Sequence, residues 1–362
     1  MTSPANTRKI VLLGAGFLGV PFKGKHIARA LAQNPANRIQ LTSRNPKRLH
    51  DVLVSDSTPS KPGLDALQPP SSNTTSIVQQ TADITDKASL VSAFKDASVV
   101  VSLVGILNGT KEQFDVIQWK GVQNVISAVR EVNGNASDGP VQKVVYLSAI
   151  GADPASSIDY FRTKALAERE LLEAFGKTGP SVTIICPSLV FGDGDGFFKR
   201  FATLSKFMPF LPVFGGGRSL FQPVFAGDIG RTIEILSRTN DERILSDARN
   251  LVIQAGGPDV LTYRQLMELI LKTTDRSRPI LSLPFAVGTL QGALLEKLPE
   301  NILTVTRSQV EQLKLDSVVT QPSQIVSLHG EKYTTLEAFI KQYGAEGQKE
   351  LRSLNTVLPT YL

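Results

Sequence analysis

The sequence predicts an α/β protein, a doubly wound parallel Rossmann sheet with a smaller, mostly helical C-terminal region. Three observations carry that prediction. Short runs, apolar at nearly every position, alternate with helical patterns over the first half of the chain, as strands covered on both faces require. A glycine-rich turn follows the first run directly. After Val190 the alternation gives way to aromatic, basic and helical segments, which marks a second region. Strand alternating with helix specifies a parallel sheet, and ligands of such sheets bind at the carboxyl ends of the strands.

The expected strands are "KIVLL" (9–13), "RIQLTS" (38–43), "SVVVSLVGIL" (98–107), "KVVYLSAIG" (143–151) and "SVTIICPSLV" (181–190). Between them "HIARALAQ", "DKASLVSAFKD", "QFDVIQWKGVQNVISAVREV" and "YFRTKALAERELLEAF" have helical periodicity. Residues 55–76 and 133–140, rich in Ser, Pro, Asn and Gly, are expected loops. Further on, "FFKRFATLSKFMPFLPVF", "LTYRQLMELILKTTD" and "LPFAVGTLQGALLEKLP" would build the smaller region. The expected division is 1–192 for the Rossmann domain, with 222–256 returning to it, 193–345 for the small region and 346–362 for a tail.

Composition narrows the function classes. With 362 residues, 41% of them hydrophobic, the chain can bury a large core. The apolar runs 99–107 and 283–290 fall short of the ~20 residues a membrane helix needs, so a soluble or peripheral protein is expected. Cys186 is the single cysteine and the histidines are scattered, so neither a disulfide nor a metal site is expected. A net charge of +6 and a pI near 9.3 suit an anionic cofactor, an acidic partner or an anionic membrane surface. No compact Lys/Arg block with interleaved aromatics points to nucleic acid. The stretch "MTSPANTR" ahead of Lys9 is shorter than an ordinary transit peptide.

Gly14, Gly16 and Gly19, the last two flanking Phe17 and Leu18, form G-x-G-x-x-G after a strand, where glycines permit a tight turn and close backbone approach to a pyrophosphate. The second expected strand runs into "TSRNPKR". An NAD site ordinarily has an acidic residue there. Ser43 and Arg44 instead suit a 2′-phosphate, which argues for NADPH (NADP+), with NAD(H) the lesser alternative. Residues 20–24 lengthen the link between the turn and "KHIARAL". Pro21 inside a helix would cost ~3 kcal/mol, so either the helix starts late, with Pro21 near its first position, or the segment bulges out. A weakened or reshaped phosphate site is the expectation.

Tyr160 and Lys164 stand four apart at the start of a helical pattern, on one face, and Ser148 ends the preceding expected strand. A Ser/Tyr/Lys set suits carbonyl reduction: the phenol gives a proton to the carbonyl oxygen while a nicotinamide gives hydride. A nearby ammonium would lower the tyrosine pKa from ~10 toward working pH, and the serine would orient the carbonyl. Cys186 follows the buried run "VTII" and reads as a core thiol. The phenylalanine-rich stretch 197–214 suits either a lipid surface, an apolar substrate or partner, or simply the core of the small region.

Together "GFLG", "FDVIQWKGVQNV", "YLSAIGAD", "YFRTKALAE", "PSLVFGDGDGFFKRF", "LPVFGGGRSLFQPVFAGDI" and "GGPDVLTYRQLMELIL" resemble the nucleotide-binding accessory subunit of respiratory complex I and its close relatives, atypical extended short-chain dehydrogenase/reductases. The resemblance runs from about Lys9 to about Val319. It implies tightly held NADPH, a place on the matrix face of the mitochondrial inner membrane, and a structural or assembly role with little or no turnover. A related branch, tied to ubiquinone biosynthesis, implies the alternative of an active NADPH-dependent reductase on an apolar carbonyl or quinone. A redox-sensing scaffold is a further alternative. Implied partners are other respiratory-complex or ubiquinone-biosynthesis subunits, with peripheral membrane contact. Carried over by position, Gly14, Gly16, Phe17, Leu18 and Gly19 match the phosphate turn and Arg44 the 2′-phosphate contact. Asp83 and Ile84 match the adenine contact, Val104 and Gly105 the ribose side, Tyr160 and Lys164 the Tyr/Lys pair, and Pro187 and Ser188 the nicotinamide end. Relative to the family the glycine turn is one residue shorter, Cys186 replaces an arginine, and residues 20–24 are an insertion.

Overall fold

The computed structural model describes residues 7–14, 22–55, 77–134, 139–295, 307–320 and 330–362. The chain forms two compact units, one of Met1–Pro187, Ala226–Ala255 and Thr320–Glu350, the other of Ser188–Phe225, Gly256–Val319 and Leu351–Leu362.

In the first unit, β1 (Arg8–Leu13) is followed by α1 (Phe22–Ala32), then β2 (Asn37–Ser43), α2 (Lys47–Ser55), β3 (Ile77–Thr81), α3 (Lys87–Phe94) and β4 (Val99–Ser102). A short α4 (Lys111–Phe114), a π-helical turn (Asp115–Lys120) and α5 (Gly121–Val132) precede β5 (Lys143–Leu147), α6 (Asp159–Phe175) and β6 (Ser181–Pro187). The second unit takes β7 (Val190–Phe191), α7 (Phe198–Phe207), β8 (Leu211–Phe214), β9 (Leu220–Phe221) and β10 (Val224–Phe225). The chain returns to the first unit with α8 (Ala226–Leu236), α9 (Glu242–Asp247) and β11 (Leu251–Ala255). It crosses again for β12 (Leu261–Thr262), α10 (Tyr263–Thr273), β13 (Ile280–Leu283), α11 (Phe285–Leu295) and α12 (Arg307–Gln312), comes back with β14 (Lys332–Thr335) and α13 (Leu336–Tyr343), and ends in α14 (Leu354–Val357).

The main sheet has eight strands in the order β14-β11-β6-β5-β4-β1-β2-β3, every pairing parallel. Its central strands are buried on both faces, which is why they read as unbroken apolar runs: Ile10 to Leu13 and Val99 to Val101 are at most 1% exposed. Three expected strands overshoot. Their last residues leave the ladder after Ser102, Leu147 and Pro187, yet Leu103, Ile106, Ala149 and Val190 among them stay buried, so apolar character alone could not mark the exit. Ile77–Thr81, Leu251–Ala255 and Lys332–Thr335 are strands that the periodicity did not single out. Their outward faces carry Gln and Thr, or their runs are short.

Two corrections follow. Residues 320–345, expected within the small region, fall in the sheet unit, where β14 pairs with β11 from Leu251↔Lys332 to Gln254↔Thr335. The end of the chain is no free tail: Leu354, Val357 and Leu358 are at most 1% exposed, and the Tyr361 hydroxyl donates to Asp195 at 2.5 Å, both within the second unit.

The insertion also resolves in part. α1 begins at Phe22, so Phe22–Gly24 are helical rather than bulged. Val20 and Pro21 themselves lie outside the described residues. α1 packs on α8 at Gly230, where a Cβ would come within 2.9 Å of the Ala30 Cβ. Within the second unit most of the phenylalanine-rich stretch is core: Phe198, Phe201 and Phe214 are buried, and Phe197 and Phe201 pack against Tyr263. Phe207 is the exception, 82% exposed. No helix among the described residues is long and apolar enough to cross a membrane.

Candidate functional site

Between β1 and β4 the strand order reverses, because β2 and β3 extend the sheet on one side of β1 while β4, β5 and β6 extend it on the other. The helical connections leave opposite faces there and a crevice opens beyond the carboxyl ends. Gly14 stands at that point with φ +83°, its N–H donating to the Thr42 carbonyl at 2.8 Å. A Cβ on Gly14 would lie 2.7 Å from Val104 Cγ2 and 2.9 Å from the Val104 backbone nitrogen. Glycine is required by dihedral and by space together.

The crevice is a cavity of about 460 Å³, lined among others by Gly14, Ser43, Arg44, Asp83, Ile84 and Val104. Ser43 Oγ accepts from the Asn45 N–H at 3.2 Å, turning the chain after β2. The Arg44 side chain is exposed and makes no hydrogen bond or ion pair among the described residues. Asp83 Oδ1 accepts from the Thr85 N–H and hydroxyl at 2.9 and 2.8 Å, and the Ile84 carbonyl accepts from Asn124 Nδ2 at 3.0 Å. Both residues are thereby fixed at the rim. The arrangement fits a dinucleotide: an apolar floor, a cradle that any Cβ would fill, and a cation with two hydroxyl-bearing or amide neighbours at one end. Gly16, Phe17, Leu18 and Gly19 lie outside the described residues.

A second group of side chains gathers past the ends of β4 and β5. Lys164 Nζ donates to the carbonyls of Leu147 at 2.7 Å and Val104 at 3.1 Å and sits 4.7 Å from the centre of the Tyr146 ring. Burial first, and after it the positive charge of Lys23 on the first turn of α1, lower its pKa to about 7. Gly105 keeps its place beside this amine for lack of room, since a Cβ there would be 2.9 Å from Gln118 Oε1 and 3.1 Å from Lys164 Nζ. Gln118 is held by the π-helical turn, accepting from the Ile106 N–H at 3.0 Å and donating to Thr163 at 2.8 Å. Such turns re-aim a side chain that an unbroken α-helix would point elsewhere.

The electrostatics differ from the sequence expectation at Tyr160. Its phenol is pushed up to about 12, chiefly by burial. Lys164 does not reverse this, because its amine is committed to two carbonyls and is itself depressed. Ser148, 2% exposed, donates its hydroxyl to Glu168 Oε1. Glu168 is in turn pushed up to about 7 by burial, against the lowering effects of Ser148, Cys186 and Lys164. Cys186 Sγ lies 3.7 Å from the same oxygen, and burial pushes the thiol well above its ordinary value, as befits a core residue.

Pro187 ends β6, its carbonyl accepting from the Ile150 N–H at 2.9 Å. Ser188 is the first residue of the second unit, where its hydroxyl donates to the Ser317 carbonyl at 2.5 Å. The sheet unit thus brings Gly14, Ser43, Arg44, Asp83, Ile84 and Val104 around one cavity, and Gly105, Ser148, Tyr160 and Lys164 to the neighbouring strand ends. Sequence reasoning missed Lys23, Gln118, Tyr146 and Glu168. Glu168 carried a signal: it follows Lys164 by one turn of α6, on the same face.

A dinucleotide-binding oxidoreductase fold is what this sheet and crevice define. Residues 11–240, more than half of the chain, match the 3-beta hydroxysteroid dehydrogenase/isomerase family, and the chain belongs to that family, within the extended short-chain dehydrogenase/reductases. It is 26% identical over 218 residues to NADH dehydrogenase (ubiquinone) 1 alpha subcomplex subunit 9, mitochondrial, of Arabidopsis thaliana, covering 60% of this chain and 50% of that protein. The Mus musculus protein of the same name is 26% identical over 237 residues, covering 66% of this chain and 58% of the relative. The chain thus spans only about half of these relatives' length. Among solved structures, UDP-glucuronic acid 4-epimerase from Bacillus cereus, in complex with UDP-glucuronic acid and NAD, superposes with a TM-score of 0.57 at 16% identity. That match covers 84% of this chain and 99% of the epimerase, a likeness of fold.

Proposed function

We propose that the chain is an NADP(H)-binding accessory or assembly subunit of mitochondrial complex I, with little or no turnover of its own. The observation that carries the nucleotide reading is the crevice at the strand-order reversal, with Gly14 against Val104 and Arg44 at its rim. An uncommitted guanidinium there favours NADPH (NADP+) over NAD(H), because the 2′-phosphate is the group that distinguishes the two and takes a bidentate cation. The accessory role draws on the mitochondrial relatives and on Tyr160: a phenol held near 12 is poorly matched to proton transfer at neutral pH. In keeping with the mitochondrial relatives, we take the partners to be other respiratory subunits and the location to be the matrix face of the inner membrane.

One observation favours a second reading. Lys164 donates from α6 to the Leu147 carbonyl, next to Ser148, in keeping with what an NADPH-dependent reductase of an apolar carbonyl or quinone would need. Thermal unfolding with each nucleotide tests the cofactor: NADPH at 100 times its dissociation constant should stabilise the fold by about 2.7 kcal/mol, and no shift with either nucleotide overturns the proposal. Co-purification from mitochondria with Tyr160→Phe separates the roles. Intact assembly and function support the accessory reading; intact assembly with a lost cellular function supports the reductase.

A further inference from the structure

Behind Ser148 lies a carboxyl group that neither the phosphate turn nor the Ser/Tyr/Lys set accounts for. Glu168 reaches from α6 to the end of β5, where its Oε1 accepts from the Ser148 hydroxyl, and the same oxygen is 3.7 Å from Cys186 Sγ on β6. Among the described residues the groups that face it are Lys164 one turn earlier on α6, Tyr146 on β5, Cys186 on β6, Glu331 just ahead of β14 and Tyr333 on it. Tyr146 is fully buried and its hydroxyl has no hydrogen-bond partner among the described residues. Lys164 spends its hydrogen bonds on Leu147 and Val104. Glu168 is therefore the acidic group nearest to Ser148, and the hydroxyl answers to it first.

We infer that Glu168 is a positioning residue of this group, whose carboxyl sets the direction of the Ser148 hydroxyl and exchanges a proton with solvent as the charge on a bound nicotinamide ring changes. The inference rests on the nucleotide reading above. When Glu168 is ionised, the Ser148 O–H points at it and only the serine lone pairs face the site. When Glu168 carries its proton, the carboxyl O–H can donate to Ser148 Oγ, and the serine proton is released toward a carbonyl oxygen. A cationic oxidised ring beside this cluster favours the carboxylate, whereas the neutral reduced ring leaves the proton in place. The balance is one proton, passing from the Glu168 carboxyl to solvent when NADP+ binds and retained when NADPH binds.

The sign follows from linkage. With Glu168 near 7 in the free protein, binding of NADP+ below that pH expels a proton, so its affinity rises with pH up to about 7 and then levels off. The 2′-phosphate is common to both nucleotides and cancels in their ratio. Lys164, also near 7, adds a contribution of the same sign, which persists when Glu168 is replaced.

The experiment measures dissociation constants of NADP+ and NADPH on the full chain across about pH 5.5 to 8.5, a range that brackets groups titrating near neutrality. In the wild type the ratio of the NADP+ constant to the NADPH constant should fall as pH rises toward 7, by at most about tenfold per pH unit for one proton. Glu168→Gln should flatten the part that Lys164 does not supply. Should that variant fail to fold, Ser148→Ala serves: without the serine hydrogen bond, which lowers Glu168, the window should move to higher pH. Equal slopes in the wild type and Glu168→Gln, or an unmoved window in Ser148→Ala, overturn the inference while the nucleotide reading stands. Failure of both nucleotides to bind overturns the nucleotide reading and the inference with it.

Discussion

Gly14 and Val104 meet where β1 and β4 end, so closely that a methyl group on the glycine would sit 2.7 Å from the valine side chain and 2.9 Å from its backbone nitrogen. The valine methyl could rotate away, but the backbone nitrogen cannot. Gly14→Ala should therefore destabilise the sheet unit by about 1–3 kcal/mol, the usual cost of a side chain at positive φ. It should weaken NADPH binding as well, because relieving the clash opens the cradle. Urea unfolding and a calorimetric titration read both; wild-type values in both would show that the approach of the two strands is not tight in solution.

Arg44 is the residue on which nucleotide preference turns. Arg44→Ala should weaken NADPH roughly 10- to 100-fold, the worth of a charge-assisted hydrogen bond at about 1.5–3 kcal/mol. NADH, which has no 2′-phosphate, should change little. Equal losses for the two nucleotides would mean that Arg44 meets a group they share.

Lys23 links the insertion to the site. Its charge lowers Lys164, though burial is the larger cause. In Lys23→Ala the midpoint for amine modification of Lys164 should rise from about 7 and remain below the ordinary lysine value of ~10.4. Peptide mass mapping after limited acetylation at several pH values gives that midpoint. An unmoved midpoint would place the two amines too far apart to interact.

Lys143 provides a pH test away from the crevice. Its side chain is fully buried, donating to Ser181 at 3.0 Å, Thr183 at 2.6 Å and the Ala248 carbonyl at 3.1 Å. Burial lowers its pKa well below the ordinary value. Between the depressed folded value and the unfolded ~10.4 the unfolded chain binds more protons, so this group makes stability rise with pH over that window. Lys143→Met should lose that gain: denaturant midpoints measured near neutrality and at moderately alkaline pH should diverge less than in the wild type. Parallel pH profiles would show that Lys143 stays charged in the folded chain.

The sequence by itself determined the doubly wound parallel sheet and its central strands. Those strands are covered on both faces, and burial of that kind is written as consecutive apolar residues. It also determined that Tyr160 and Lys164 share a face, because a separation of four is fixed by helix geometry. Arg44 after β2 was legible for a similar reason, standing where the acidic residue of an NAD site would be. Local pattern said nothing of partners remote in the chain. Only the tertiary structure decided that Val104 closes on Gly14, that Ser148 is committed to Glu168, and that Lys164 is spent on the carbonyls of Leu147 and Val104. The same holds for Tyr160, expected to be lowered by a neighbouring ammonium and instead raised to about 12. A pKa answers to the water removed and the charges brought near, and both are set when the strands and helices pack together.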